Sequence, residues 1–174
     1  NFLRVESNGD QVLTDTDGPG VIYRLWSTGV VGMQMSKECR LRFYFDWESE
    51  PRLDLSMSEL FGEKGSRWPF VPPLSVTFES GVGGGEGPCN LSYVPIPFAK
   101  HLKIVGRNVM FYHVNYHKLP EGTPVESFSF ELAEKHRAAI EKGAALWNEI
   151  PERPGSRQFD KVQELKDIVL DPGA

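Results

Sequence analysis

Residues 41–48 read LRFYFDWE, and this stretch decides the class of fold. Apolar and polar side chains alternate along it with a period of two residues, which is the pattern of a β-strand with one buried face. If the strand persists through Glu48, the carboxylates of Asp46 and Glu48 point to the same, polar side. The apolar side then carries every second residue, namely Leu41, Phe43, Phe45 and Trp47.

Short apolar runs separated by turn residues continue this pattern through the first 120 residues. An Asn8-Gly9 pair between two such runs predicts a hairpin, because asparagine and glycine adopt the positive φ of tight hairpin turns. In residues 21–28, alternation predicts that Ile22 and Trp26 share one face while Leu25 lies on the other. Further strands are predicted near residues 53–55, 74–78, 91–94, 102–105 and 109–116.

The pattern changes after residue 128. Apolar residues recur every three or four positions through residues 131–150, which predicts an amphipathic helix. Residues 159–170 are ambiguous between helix and strand and resemble the entry to another strand. We therefore predict an all-β fold class, a jelly-roll sandwich at residues 1–128 followed by one amphipathic α-helix. Residues 129–174 would then be a connector, made of this helix and a strand-like tail.

The composition narrows the class of partner. The 174 residues suit one domain, and their net charge of −5 argues against a nucleic-acid surface, which needs clustered Lys and Arg. No apolar run is long enough to span a bilayer, so we expect no membrane partner. Cys39 and Cys89 lack zinc-site spacing, which leaves two alternatives, a disulfide in an oxidising compartment or two free buried thiols.

Asp46 and Glu48 are the first candidate pair for chemistry. On a persisting strand their Cα atoms would lie roughly 6.5–7 Å apart. Two carboxylates at such separations can serve glycoside hydrolysis, one as acid and the other as nucleophile or base. The alternative is an acidic strand end that faces solvent.

Aromatic residues and histidines supply the other candidates. Trp26, Trp47 and Trp68 could stack on sugar rings, or could belong to the core. His113 and His117 share a predicted strand face and could hold a metal, as imidazoles do in cupin-type jelly rolls. A third protein ligand is not evident at a companion spacing, so we predict no metal and no cofactor.

Six ordered segments resemble the motifs of glycoside hydrolase family 172, a family long catalogued as a domain of unknown function. The first, residues 17–28 (DGPGVIYRLWST), resembles the family's opening signature, and residues 41–46 resemble its strand ending in Asp-Gly-Glu. The others are residues 60–62 (LFG), 92–98 (SYVPIPF), 112–116 (YHVNY) and 120–128 (PEGTPVESF). They occur in order and are spread over residues 17–128.

The resemblance implies a double jelly roll whose subunits assemble as trimers or hexamers, in a manner similar to viral capsid proteins. It also implies activity on furanosides, by cleavage or cyclising transfer at fructofuranosyl and arabinofuranosyl linkages. In the family this proceeds with retention and without metal, using two glutamates in a pocket near a subunit interface. Such substrates imply an extracytoplasmic or secreted location.

Two departures limit what the resemblance carries over to this chain. The resemblance implies that the chain covers the first jelly roll, and that residues 129–174 are the linking helix and the entry to a missing second jelly roll. We therefore expect the catalytic glutamates outside the chain, on the same polypeptide or on a second chain. Trp47 stands where the family usually has Gly. We expect five residues to contribute to the wall of an oligosaccharide pocket: Trp26, Asp46, Trp47, Glu48 and His113.

Two rival functions remain open at this stage. One is a non-catalytic jelly-roll assembly or carbohydrate-binding protein, which would need only self-complementary surfaces. The other is a metal-dependent, cupin-like enzyme that uses His113 and His117.

Overall fold

Two antiparallel sheets face each other across an apolar core in the computed structural model, which describes residues 2–28, 39–62, 65–80, 87–109 and 111–148. The tail at residues 159–170, predicted as a strand or helix, lies outside the described residues, as does the expected entry to a second jelly roll. Among the described residues, no helix is both long enough and apolar enough to cross a membrane.

The first sheet is antiparallel throughout. Its strands, in spatial order, are β1 (Arg4–Val5), β2 (Gln11–Asp17), β9 (His101–Gly106), β4 (Arg40–Phe45) and β5 (Leu53–Ser56). The second sheet is formed by β10 (Phe111–Lys118), β3 (Gly20–Thr28), β7 (Gly87–Ser92) and β6 (Ser75–Ser80), and β8 (Ile96–Phe98) also pairs with β3.

The chain passes repeatedly from one sheet to the other, as between β2 and β3 and again between β3 and β4. As a result, β9 lies between β2 and β4, far from both in sequence. Crossings of this kind characterise jelly-roll sandwiches, whose sheets join strands that are distant along the chain. The predicted all-β sandwich with a C-terminal helical segment is confirmed.

Alternation in β4 builds the centre of the core. Leu41, Phe43 and Phe45 are buried, and the last two have no exposed surface. A short helix, α1 (Met57–Leu60), closes one side of the core. Ser56 caps it by accepting a hydrogen bond from the backbone N–H of Glu59, whose side chain bonds back to the Ser56 N–H.

The predicted hairpin at Asn8-Gly9 is confirmed. It joins β1 to β2, with Arg4 opposite Val12, and Gly9 has the positive φ of 86° that its turn requires.

The predicted faces of β3 are wrong in one respect, because a β-bulge interrupts the strand. Arg24 pairs with Asn115 and Ile22 with Tyr116, so that Tyr23 is the extra residue. One inserted residue reverses the alternation beyond it. Ile22 and Leu25 are therefore both buried in the core, and Trp26 lies on the opposite face from Ile22.

The single helix predicted at residues 131–150 is two helices, α2 (Phe130–Lys135) and α3 (Arg137–Asn148). They separate at His136, whose φ of −105° and ψ of 16° lie outside the helical region. On α3, Ile140 and Ala144 pack against the core.

Candidate functional site

The chain turns sharply after β4, and this turn presents the candidate site. The Glu48 N–H donates to the Phe45 carbonyl at 2.8 Å, and the two residues between them have positive φ, 52° at Asp46 and 68° at Trp47. Positive φ at both central positions is the geometry of a type I′ turn. The strand therefore ends at Phe45, and the predicted extension through Glu48, with both carboxylates on one strand face, is wrong.

The same turn overturns the predicted placement of Trp47 on the apolar face. The residue is 68% exposed, and its ring lies outside the sandwich, stacked on the imidazole of His101. The two ring centroids are 3.6 Å apart and the planes meet at 16°. One face of the indole is thus held by the protein, and the side chain still offers a large exposed aromatic surface.

His101 is in turn held by Asp15. It begins β9, is only 5% exposed, and its Nε2 lies 2.8 Å from Oδ1 of Asp15 on β2. The Asp15 carboxylate also accepts a hydrogen bond from Arg4 at 2.6 Å. Burial by itself raises the pKa of Asp15, but the hydrogen bonds from Arg4 and His101 outweigh it and hold the pKa below its usual value. Because an ionised carboxylate only accepts, Nε2 of His101 carries the proton.

A cleft of about 450 Å³ opens over these groups on the outer surface of the first sheet. Its volume falls in the range of small-ligand sites. Its side chains combine aromatic surface with both cationic donors and carboxylate acceptors of hydrogen bonds. This combination suits a polyhydroxylated ligand. The lining residues are Arg4, Asp15, Tyr44, Trp47, Glu48, Ser49, His101 and Lys103.

Asp46 supports the cleft from behind. Its Oδ1 accepts from the Lys100 N–H at 2.7 Å, and its own N–H donates to the His101 carbonyl at 2.8 Å. Burial by itself would raise the pKa of Asp46. Hydrogen bonds from Ser127, Lys100 and His101 outweigh this effect and hold the pKa below its usual value. Asp46 thus ties the turn to the start of β9.

Glu48 lines the cleft, but its carboxylate is occupied by Arg52, whose Nε lies 3.1 Å from each of its oxygens. Arg52 also donates to the carbonyls of Ser127 and Phe128, at 3.3 and 3.2 Å. The salt bridge therefore anchors the cleft rim to the segment that leads into α2.

The other two predicted wall residues, Trp26 and His113, lie on the second sheet. They are paired across β3 and β10, with ring centroids 4.9 Å apart and planes tilted by 33°. The Trp26 Nε1–H donates to Sγ of Cys89 at 3.1 Å. The five predicted residues therefore divide into two groups on opposite outer surfaces.

Neither cysteine forms a disulfide, so the second alternative, two free buried thiols, is correct. The thiol of Cys39 donates to the Arg107 carbonyl at 2.9 Å, and burial raises the pKa of that thiol.

Two further candidates from the sequence are the metal site at His113 and His117 and the sugar-stacking residue Trp68. On β10, the side-chain oxygen of Asn115, which lies between His113 and His117, accepts from Arg24 at 3.0 Å. Within the described ranges, no three His, Cys, Asp or Glu side chains lie close enough together to hold a metal ion. Trp68 packs against the core under the guanidinium of Arg137, which is 3.8 Å from its ring centroid.

Along β6 and β7 of the second sheet, polar side chains point inward and apolar side chains point outward, the reverse of the usual arrangement. Ser75, Thr77 and Asn90 point inward and are hydrogen-bonded, with Ser75 and Thr77 donating to the carbonyls of Leu60 and Phe61 at 2.6 and 3.1 Å. The apolar residues between them consequently point out. We call this surface the aromatic face, defined by Trp26, Val76, Phe78, Leu91, Phe111 and His113.

The two sheets thus form a β-sandwich with a polar cleft around the exposed Trp47 on one outer surface. Residues 1–136 match the model of the GH172 first beta-sandwich domain, so the chain belongs to glycoside hydrolase family 172. The resemblance read from the six sequence segments is thereby confirmed. A comparison with curated protein sequences found no match.

Proposed function

We propose that this sandwich forms one wall of a furanoside pocket, for fructofuranosyl or arabinofuranosyl substrates, with the catalytic glutamates supplied from outside the chain. The observation that carries the proposal is the cleft in which Trp47, stacked on His101, stands among hydrogen-bonding side chains. Aromatic surface covers the C–H face of a sugar ring, while carboxylates, hydroxyls and cations bind its hydroxyl groups.

The bonding of the cleft carboxylates supports a binding role and not a catalytic one. Asp15 is held ionised by Arg4 and His101, and Glu48 is paired with Arg52. A general acid in glycoside hydrolysis needs a raised pKa so that it is protonated when it meets the leaving oxygen. The acid would therefore come from another segment.

The first test is the mass of the purified protein, denatured and native. A denatured chain heavier than 19.6 kDa, or a stoichiometric second chain, is expected, since either would bring the catalytic half. A denatured mass near 19.6 kDa with a homomeric particle would exclude the proposal and leave a non-catalytic assembly or sugar-binding protein.

The second test is kinetic and uses arabinofuranosyl and fructofuranosyl oligosaccharides. Tyr44→Ala, in the cleft, is expected to raise KM about tenfold with a smaller change in kcat, because it removes binding contacts away from the reacting bond. Tyr23→Ala is the matched control, since Tyr23 is a strand tyrosine on the second sheet and is 50% exposed. An unchanged KM in Tyr44→Ala would contradict the proposed wall.

We also propose that the aromatic face contacts another subunit in a trimer or hexamer. Phe78 and Phe111 are 46% and 39% exposed on it, although they occupy strands of a sandwich sheet. Exposed apolar clusters of this kind mark interaction sites in soluble proteins. The same surface would serve the alternative function, a non-catalytic assembly.

A further inference from the structure

Trp47 has a backbone conformation that its side chain disfavours. Three non-glycine residues with positive φ occur in the part of the chain that the structure describes: Asp46, Trp47 and Asn108. Aspartate and asparagine tolerate this region because their short polar side chains bond locally. Tryptophan has no such compensation, so its φ of 68° is strained.

The position of the ring gives this strain a use. One face of the indole lies on His101, and the residue, 68% exposed, forms part of the cleft lining. A ring that served only to cover His101 would not need so much exposed surface. Strained residues persist where the surrounding structure over-determines them, and they cluster at binding sites.

The charged side chains of the cleft favour an uncharged ligand. Arg4 is paired with Asp15 at 2.6 Å and Lys103 with Glu6 at 3.2 Å. Glu48 is paired with Arg52. An acidic ligand would meet cations whose charge is already neutralised by a carboxylate, whereas neutral hydroxyl groups can share the existing donors and acceptors.

We propose that Trp47 is a specificity-determining platform for a neutral sugar ring, and that the turn keeps it in a strained conformation in order to present it. The inference rests on the proposed function, because it names the ligand class and the main contact of the same cleft. It predicts that binding and stability respond in opposite directions to the residue at this position.

The experiment compares Trp47→Gly, Trp47→Ala and Trp47→Phe in the protein as purified. Melting temperature is measured for each variant. Binding is measured by calorimetry with three probes: arabinofuranotriose, a neutral fructofuranosyl trisaccharide and trigalacturonate. Asn108→Gly and Asn108→Ala are the matched controls, because Asn108 has a similar φ of 56° but does not line the cleft.

We expect the wild type to bind at least one neutral probe and to bind trigalacturonate at least tenfold more weakly. The Gly and Ala variants should both lose at least tenfold in affinity for the neutral probe, while the Phe variant retains most of it. Trp47→Gly should melt about 2–4 °C above Trp47→Ala, since only alanine carries the Cβ that positive φ penalises. Both Asn108 variants should bind as the wild type does.

Each contrary result has a distinct meaning. If the wild type binds a neutral probe and Trp47→Gly binds it equally well, the platform is refuted and the furanoside wall stands. Equal binding of trigalacturonate refutes the neutral ligand, and equal melting of the Gly and Ala variants refutes the strain. If the wild type binds neither neutral probe, both the inference and the proposed function fail.

Discussion

The outer surfaces of the two sheets differ in how their side chains are satisfied. On the first sheet, long polar side chains pair with one another, as Arg42 and Arg107 do with Asp10. On the second, the aromatic face leaves Phe78 and Phe111 partly exposed, while Ser75 and Thr77 of β6 point inward and donate hydrogen bonds to backbone carbonyls. The two surfaces belong to one sandwich and share one core.

The first sheet thus presents charges that are paired within the chain, whereas the second presents apolar side chains that remain exposed. Around the cleft, Arg4, Lys103 and Glu48 already have charge partners within the chain, so that a neutral small molecule needs no further ion. Exposed phenylalanines stabilise a protein only when another apolar surface covers them and removes them from water. This contrast is the basis for proposing ligand binding on the first sheet and subunit contact on the second.

The largest expected effect concerns Asp10, the most deeply buried charge on the first sheet. It is 3% exposed and accepts hydrogen bonds from Arg107 at 2.7 Å and Asn8 at 2.8 Å, with Arg42 at 2.6 Å. Asp10→Ala should lower the free energy of unfolding by about 2–3 kcal/mol, because it leaves two arginines without their shared carboxylate. Urea denaturation measures the change.

Asp17→Ala is the matched control for this variant, since Asp17 is an exposed aspartate at the end of β2. A loss below about 0.5 kcal/mol is expected there. If the two variants were equally stable, charge pairing would not hold this surface together.

Acid should destabilise the protein through the hydrogen-bonded carboxylates of the first sheet. The pKa of Asp10 is lowered, as is that of Asp15, because hydrogen bonds from arginines outweigh the burial that would raise it. With native pKa values below the ordinary 3.8, the unfolded chain binds more protons in acid. The stabilisation that these two carboxyls contribute is therefore present above about pH 4, and it is lost as the pH falls through their native pKa values.

The expected slope below pH 4 is at most about 1.4 kcal/mol per pH unit for each carboxyl. Urea midpoints between pH 6 and pH 2 measure it, and Asp15→Asn should flatten the curve relative to the wild type. A wild-type curve that rose toward acid, or an Asp15→Asn curve as steep as the wild type, would contradict this account.

The smallest effect on folding is expected on the aromatic face. The double variant Phe78→Ser/Phe111→Ser should change the free energy of unfolding of one subunit by less than about 1 kcal/mol, since both rings are already partly exposed. It should nevertheless reduce the size of the native particle, measured by light scattering. Phe2→Ser, at a phenylalanine that is 39% exposed before β1, is the control and should leave the particle intact.

The sequence predicted the features that depend on neighbouring residues. Alternation in residues 41–45 identified β4 and its buried face, and Asn8-Gly9 identified the first hairpin, because both patterns follow from local backbone geometry. The prediction failed at Tyr23, where the bulge reverses the alternation, since the pairing of β3 with β10 that creates it joins residues far apart in the chain.

The candidate site was predicted in part for the same reason. Trp47 and Glu48, two of the predicted wall residues, line the cleft, and their role in ligand binding stays a prediction. His101 and Asp15 also line the cleft and were missed, because their hydrogen bond joins residues that are 86 positions apart in the chain. The one available signal was the alternation of β9, which places His101 and Lys103 on the polar side of that strand.

By itself, the amino-acid sequence determined a β-sandwich with a helical C-terminal segment and its membership of glycoside hydrolase family 172. Both follow from the order of residue types along the chain, which sets strand periodicity and family motifs. Only the tertiary structure decided that Trp47 leaves the core to stack on His101, and that Trp26 and His113 lie on the opposite surface. A two-residue turn and a one-residue bulge each redirect every side chain that follows, and both depend on contacts between strands distant in sequence.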